Sequence, residues 1–215
     1  MWVVKLGGSL LGSPELARWL DVVVKFGDGK VVIVPGGGLF ADSVREAQQV
    51  SNVSDAVAHE LALIAMDQFG ILLAGMNPAL ATASSELEIA ERGWQHRGIV
   101  WLPSQMVLVD DSIPKNWQVT SDSLSAWLAN KIGAEQLILV KSKPLTRYQT
   151  EIPTASQSLI EDELIDCQFV EFVSSEKQGQ DYQSWALNKA DYTLFEQGFN
   201  LQKLEGHGLR IITST

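Results

Sequence analysis

Two stretches of the same design decide the fold: residues 2–9, with the sequence WVVKLGGS, and residues 30–38, with the sequence KVVIVPGGG. Each is a short apolar run that ends in glycines, and each is followed by helical spacing, at residues 14–26 and 39–49. An apolar run that stops at glycines indicates a buried strand entering a tight turn. Two consecutive strand–loop–helix units predict a parallel sheet covered by helices, which is an α/β fold.

The rest of the chain predicts further strands and helices. We expect helices over about 54–74 and from Thr120 or Ser121 to 131, a strand pair at 99–102 and 106–109, and strands at 137–140, 168–173 and 209–213. Ser13 is expected to cap the first helix, which has proline at its first position. Residues 143–158, rich in Pro, Thr, Ser and Gln, predict a surface excursion. Because no repeat or linker divides residues 1–215, a single domain is expected.

Composition limits the possible partners. With 16 basic and 26 acidic residues the formal charge is −10, which argues against a basic surface for nucleic acid. Cys167 is the only cysteine, so an internal disulfide is impossible and a reducing compartment fits. The apolar stretch 61–75 contains Asp67, and the start resembles no signal peptide. We therefore expect a cytoplasmic protein without a membrane anchor.

The two glycine loops are candidate phosphate sites. Lys5 places a cation at the end of the first strand, directly before a backbone without Cβ atoms that phosphate oxygens can approach closely. Parallel strands bring such loops to the same edge of the sheet, so both loops can face one phosphoryl group. The candidate residues are Gly7, Gly8, Ser9, Gly36, Gly37 and Gly38. The alternative is that both loops are only tight turns.

A carboxylate and a second lysine are the candidate partners of Lys5. Residues 120–123, with the sequence TSDS, open a helix, and capping it needs only one of these side chains. The carboxylate of Asp122 could hold Lys5 in line with Lys141, which directly follows a buried strand. The alternatives are that Asp122 is a simple cap and that Lys141 points to solvent.

These motifs resemble those of a known family. Residues 5–9 (KLGGS), 34–38 (VPGGG) and 139–142 (LVKS) resemble, in order and spacing, the amino-acid-kinase superfamily. Residues 40–42 (FAD), 65–70 (AMDQFG) and 117–127 (WQVTSDSLSAW) are similar to those of the aminomethylfuran-methyl phosphate kinases of methanofuran biosynthesis. The resemblance covers about residues 2–143.

The resemblance implies a three-layer α/β/α sandwich with a mainly parallel central sheet. The phosphate acceptor would bind to the half at about 1–115, and ATP with Mg²⁺ to the half at about 116–215. It further implies that Lys5 contacts the transferring phosphoryl group, that Gly7, Gly8, Gly36 and Gly37 line the phosphates, and that Asp122 organises the lysines. It also implies a homodimer or a larger homo-oligomer.

The expected activity is transfer of the ATP γ-phosphoryl group to a small phosphorylated acceptor. Aminomethylfuran-methyl phosphate, which would yield a diphosphate, fits the resemblance, and Asp42 or Asp67 could hold its amine. Many members of the resembling family continue from the strand at 137–140 into an Asp-Gly-Val/Ile turn, whereas residues 142–145 read SKPL. A non-catalytic anion- or nucleotide-binding protein therefore remains the alternative.

Other residue types receive no role. The histidines His59, His96 and His207 are scattered along the chain, and no pair has helical metal-ligand spacing. We therefore expect no protein ligands for a metal ion. A dinucleotide-dependent oxidoreductase is disfavoured because the GxGxxG fingerprint is absent.

Overall fold

The central feature of the fold is one eight-stranded sheet. The computed structural model describes residues 1–148, 154–173 and 182–212. The strands are β1 (Trp2–Leu6), β2 (Val31–Pro35), β3 (Leu80–Ala83), β4 (Gly98–Trp101), β5 (Gln136–Lys141), β6 (Thr154–Ala155), β7 (Gln183–Asn188) and β8 (Leu209–Ile212). Their spatial order is β3-β4-β2-β1-β5-β7-β8-β6. Of the neighbouring strands in this order, β7 and β8 pair in antiparallel orientation. β1 lies at the centre, paired in parallel with both β2 and β5.

Helices cover both faces of this sheet. They are α1 (Pro14–Phe26), α2 (Gly38–Ser51), α3 (Asp55–Met76), α4 (Glu86–Trp94), α5 (Ser104–Val107), α6 (Ser121–Lys131), α7 (Ser156–Glu161), α8 (Phe169–Val173) and α9 (Leu201–His207). Side chains alternate along β1, so that Val4 belongs to an apolar cluster with residues of α1 and α9, while Val3 belongs to a second cluster with residues of α4, α6 and α8. The expected three-layer α/β/α sandwich with a mainly parallel sheet is confirmed.

Two of the predicted strands are wrong. Residues 106–109 form no strand, because α5 begins at Ser104, where the carboxylate of Asp67 accepts hydrogen bonds from the Ser104 backbone N–H and hydroxyl. Residues 168–173 are largely the helix α8, where Asp166 accepts from the backbone N–H of Phe169 at 2.8 Å. Short apolar runs do not separate strand from helix by periodicity. Carboxylates accept from both helix starts: Asp67 comes from a distant segment, whereas Asp166 lies three residues before Phe169.

Several other expectations need correction. Ser13 occupies the N-cap position of α1, but its side chain makes no capping hydrogen bond. Residues 149–153 of the predicted surface excursion and residue 213 of the predicted last strand lie outside the described part of the chain. The described residues of 143–158 are exposed or half-buried, apart from the buried Ser156. The sequence patterns also missed the strands β3 and β7 and the helices α4 and α9.

α3 has an unusual distribution of apolar residues. Within the described residues, it is the one helix long and apolar enough to cross a membrane by length and composition. However, Phe69 and Leu73 on this helix are fully buried against the sheet, as in the core helix of a globular domain. Its outer side keeps an exposed apolar stripe, formed by Val57, Leu61, Ile64, Ile71, Leu72 and Met76.

Candidate active site

Two lysines and an aspartate meet at the carboxyl end of the sheet. Lys5 lies on the same side of β1 as Val3, and Lys141 on the same side of β5 as Leu139, because side chains alternate along a strand. That side of the sheet is covered by α6, and Asp122 lies in the first turn of this helix. Both ammonium groups therefore reach one carboxylate from neighbouring parallel strands.

The contacts within this cluster are short and buried. Lys5 Nζ lies 2.9 Å from Asp122 Oδ1, and Lys141 Nζ lies 2.9 Å from Oδ2 and 3.0 Å from Oδ1. The three residues are 8%, 6% and 8% exposed in chain order, so solvent screens their charges weakly. We call them the Lys5–Asp122–Lys141 cluster.

The cluster shifts the pKa of two of its members. Burial alone would raise the pKa of Asp122, but the charges of Lys141 and Lys5 outweigh it and lower this pKa to about 2. Burial lowers the pKa of Lys141 to about 8, against the opposing attraction of Asp122 and with a further contribution from Lys5. At neutral pH the cluster holds an ionised carboxylate between two ammonium groups, with a net positive charge.

Asp122 does not cap α6 with its side chain. Thr120 is the N-cap residue, and its hydroxyl accepts from the backbone N–H of Asp122 at 3.3 Å. Asp166 supports this helix start, since its carboxylate accepts from the backbone N–H groups of Thr120 and Ser123 and from both hydroxyls. The sequence offered no signal for Asp166, which comes from a segment more than 40 residues away. The Asp122 carboxylate therefore pairs with the two lysines instead of capping the helix.

The two glycine loops touch each other beside this cluster. A Cβ placed on Gly8 would lie 2.0 Å from the Cα of Gly38, and one on Gly36 would lie 2.6 Å from the backbone N of Gly8. Gly38 also has a φ of +55°, which side chains rarely allow. These are closer approaches than a tight turn requires, and they bring both loops to one point at the carboxyl ends of β1 and β2.

Two cavities adjoin at the first glycine loop. A smaller cavity of about 260 Å³ is lined by Gly7 and by the Lys5–Asp122–Lys141 cluster. A larger cavity of about 540 Å³ is lined by Gly8, by the second loop and by the inner turns of α2, α3 and α6. Ser9 lines both. The loop that separates the cavities therefore carries the backbone N–H groups that a phosphate at their junction would meet.

The two carboxylates considered for an acceptor amine lie in different places. Asp42 lines the larger cavity, where it is exposed and forms an ion pair with Arg45 at 2.7 Å. The Arg45 guanidinium lies 4.7 Å from the ring centre of Trp117, another residue of that cavity. Asp67 is absent from the lining of this cavity and holds Ser104, and burial raises its pKa. The geometry thus favours Asp42 over Asp67.

The site suits phosphate better than a protein-bound metal. Two ammonium groups face glycines that leave the backbone accessible, and Lys143, paired with Glu163 at 3.7 Å, also lines the smaller cavity. The Asp122 oxygens are already taken by the lysines. Among the residues that the structure describes, no group of three or more His, Cys, Asp or Glu could hold a metal ion.

Comparison with known proteins agrees with this geometry. The sequence profile of the Amino acid kinase family matches residues 1–161. A protein of Methanocaldococcus jannaschii named (5-(aminomethyl)furan-3-yl)methyl phosphate kinase is 31% identical over 140 residues, which span 65% of this chain and 64% of that protein. The chain thus matches less than two thirds of that relative.

Solved structures share the fold. The uridylate kinase of Archaeoglobus fulgidus superposes with a TM-score of 0.69 at 16% identity, covering 99% of both chains. The aspartate kinase of Synechocystis superposes with a TM-score of 0.65 at 14% identity, over 88% of this chain and 38% of that one. At such identities the likeness concerns the fold alone, whereas the profile match extends over most of the sequence. The chain belongs to the amino acid kinase family.

Proposed function

We propose that the protein transfers the γ-phosphoryl group of ATP, bound with Mg²⁺, to the phosphate of a small acceptor. The observation that carries this proposal is the Lys5–Asp122–Lys141 cluster beside the glycine loop that separates the two cavities. The smaller cavity would receive the ATP phosphates, and the larger one, lined mostly by the half at about 1–115, would receive the acceptor. Family membership supports the choice of reaction.

The proposed reaction asks the protein mainly for positioning. An oxygen of the acceptor phosphate forms a bond to the γ-phosphorus, while the bond from that phosphorus to the bridging oxygen breaks and ADP leaves with the electron pair. Lys5 and Lys141 stabilise the charge that spreads over the transferring group, and Asp122 fixes both ammonium groups before the reaction begins. Backbone N–H groups of Gly7 and Gly8 hold phosphate oxygens.

The proposed acceptor is aminomethylfuran-methyl phosphate, and the product its diphosphate. Support comes from the name of the Methanocaldococcus jannaschii relative and from the size of the larger cavity. A volume of about 540 Å³ suits a small organic ligand, and its lining combines apolar side chains with a few polar ones. Asp42 at the cavity mouth is one group that could attract the amine.

The test is a panel of acceptors with Mg-ATP: aminomethylfuran-methyl phosphate, UMP, isopentenyl phosphate, acetylglutamate and aspartate. ADP release and ³¹P NMR of the product report transfer. Lys5→Ala, prepared identically, is the control for contaminating kinases and should lower kcat by about two to four orders of magnitude. A preference for another acceptor would refute the proposed substrate but not the proposed kinase activity.

The second candidate is a non-catalytic anion- or nucleotide-binding protein. It is favoured by the sequence SKPL at residues 142–145 and by the ion pair of Lys143 with Glu163, 3.7 Å apart, at the smaller cavity. Calorimetry distinguishes the two functions. Saturable ATP binding without phosphoryl transfer to any acceptor of the panel would favour the binding protein, and transfer at catalytic rates would exclude it.

A further inference from the structure

His59, which the sequence left without a role, lies in the wall of the larger cavity. It belongs to the second turn of α3 and is only 5% exposed. The other buried side chains of the lining are apolar: Ala41, Leu63, Met66, Val119 and Leu124. His59 is thus the single buried polar side chain among the residues that line this cavity, all of which the structure describes.

The contacts of the imidazole fix its tautomer. Nδ1 lies 3.2 Å from the backbone oxygen of Asn116. A carbonyl oxygen only accepts, so Nδ1 carries the proton and donates it there. Burial lowers the pKa of His59 against the opposing hydrogen bond to Asn116, and the charge of Lys115 adds to the lowering, which favours the neutral ring. Nε2 therefore keeps a lone pair, and no hydrogen bond to it is present within the described residues.

No other buried group of this cavity offers an equivalent acceptor. Asp42 is paired with Arg45, and both side chains are more than half exposed, at 68% and 52%. The Thr120 hydroxyl is already engaged with Asp166 and with the start of α6. A ligand that places a hydrogen-bond donor in the apolar inner part of the cavity would lose its water there and needs a replacement acceptor.

We propose that His59 determines acceptor specificity, with Nε2 accepting a hydrogen bond from an amine at the end of the acceptor remote from its phosphate. This inference rests on the proposed kinase function. The phosphate would lie at the glycine loops, and the amine at the inner wall of the same cavity. A site built to receive a hydrogen bond rejects an analogue that lacks the donor, because its own buried acceptor then stays unpaired.

The experiment compares two acceptors that differ only in this group: aminomethylfuran-methyl phosphate and the analogue with a methyl group in place of the aminomethyl. Wild type should have a lower KM for the amine. His59→Leu should raise that KM about tenfold and leave the KM values for ATP and for the methyl analogue within about twofold. His59→Gln, which keeps an acceptor, should restore part of the preference. Equal effects of His59→Leu on both acceptors, or no effect on either, would overturn the proposal.

Two controls keep the result interpretable. His96→Asn alters an exposed histidine that pairs with Asp28 away from both cavities of the candidate site, and it should change neither KM; asparagine tolerates the φ of +54° at this position. Thermal melting checks the fold, and His59→Phe replaces His59→Leu should the latter not fold. If wild type transfers phosphate to neither acceptor, the proposed function fails. Calorimetry with the same variants then tests His59 separately. Equal affinity of wild type and His59→Leu for aminomethylfuran-methyl phosphate would overturn the proposed role of His59.

Discussion

Replacing Asp122 by asparagine removes the negative charge of the Lys5–Asp122–Lys141 cluster and little else. The start of α6 keeps its cap, because Thr120 provides it, and the amide has nearly the shape of the carboxylate. Two ammonium groups are then left buried without a counter-charge. We therefore expect Asp122→Asn to lose activity and to lose more stability than a substitution at an exposed position.

The size of the stability loss follows from the pKa of Asp122. Its lowering from an ordinary 3.8 to about 2, at about 1.4 kcal/mol per pKa unit, corresponds to about 2 kcal/mol of native-state stability at pH 7. For a chain of this size that is a fall in Tm of about 4–8 °C. Because the folded pKa is depressed, this stabilisation is present above the unfolded pKa and is lost as the pH falls towards about 2. We also expect kcat to fall by about two to four orders of magnitude.

The measurements are urea unfolding, thermal melting and steady-state ADP release, each made on wild type, Asp122→Asn and Asp28→Asn. Asp28 is the matched control: its side chain is 62% exposed and pairs with His96, outside both cavities of the candidate site. This control should stay within about 0.5 kcal/mol of wild type and keep its activity. An Asp122→Asn protein with lowered Tm and unchanged kcat would show that the cluster serves stability alone, and unchanged Tm would refute the electrostatic reasoning.

Three further predictions test the loops, the second lysine and the surface of α3. Gly8→Ala should abolish phosphoryl transfer because its Cβ would lie 2.0 Å from the Cα of Gly38, and an active variant would contradict the close packing of the loops. Gly75→Ala is the control: no atom lies within 4 Å of its added Cβ, so it should keep full activity in the same assay. Because kcat/KM reports ionisations of the free enzyme, its value for ATP should decline above pH about 8 as Lys141 loses its proton. Lys141→Arg should remove that decline, and an identical pH profile in the variant would refute the assignment of the decline to Lys141. The exposed apolar stripe of α3 should pair with the same stripe of a second copy. Light scattering should then give a multiple of the 23.6 kDa chain mass for wild type and a monomer for Ile64→Glu, and a monomeric wild type would exclude this association.

Local patterns in the sequence predicted the central part of the fold. The apolar runs ending at Gly7 and at Gly36 predicted β1 and β2, and their shared parallel direction predicted that the two loops would meet. These inferences succeeded because strand period, glycine turns and helix spacing are properties of neighbouring residues. The same local interpretation failed at residues 106–109, where Asp67 binds the start of α5 from a distant segment, and at 168–173, where the apolar run did not reveal that Asp166, three residues before Phe169, accepts from the start of α8.

The sequence by itself determined the α/β class, the central parallel strands and the two glycine loops, together with Lys5 and Asp122 as possible partners. Only the tertiary structure decided that Asp122 holds both lysines, that Asp67 accepts hydrogen bonds at the start of α5, and that His59 lines a cavity where its Nε2 has no hydrogen-bond partner among the described residues. The physical reason is that a charge or an imidazole acquires its role from what burial places beside it. For these residues the decisive neighbours come from other strands and helices, and the spacing of residues along the chain does not record them.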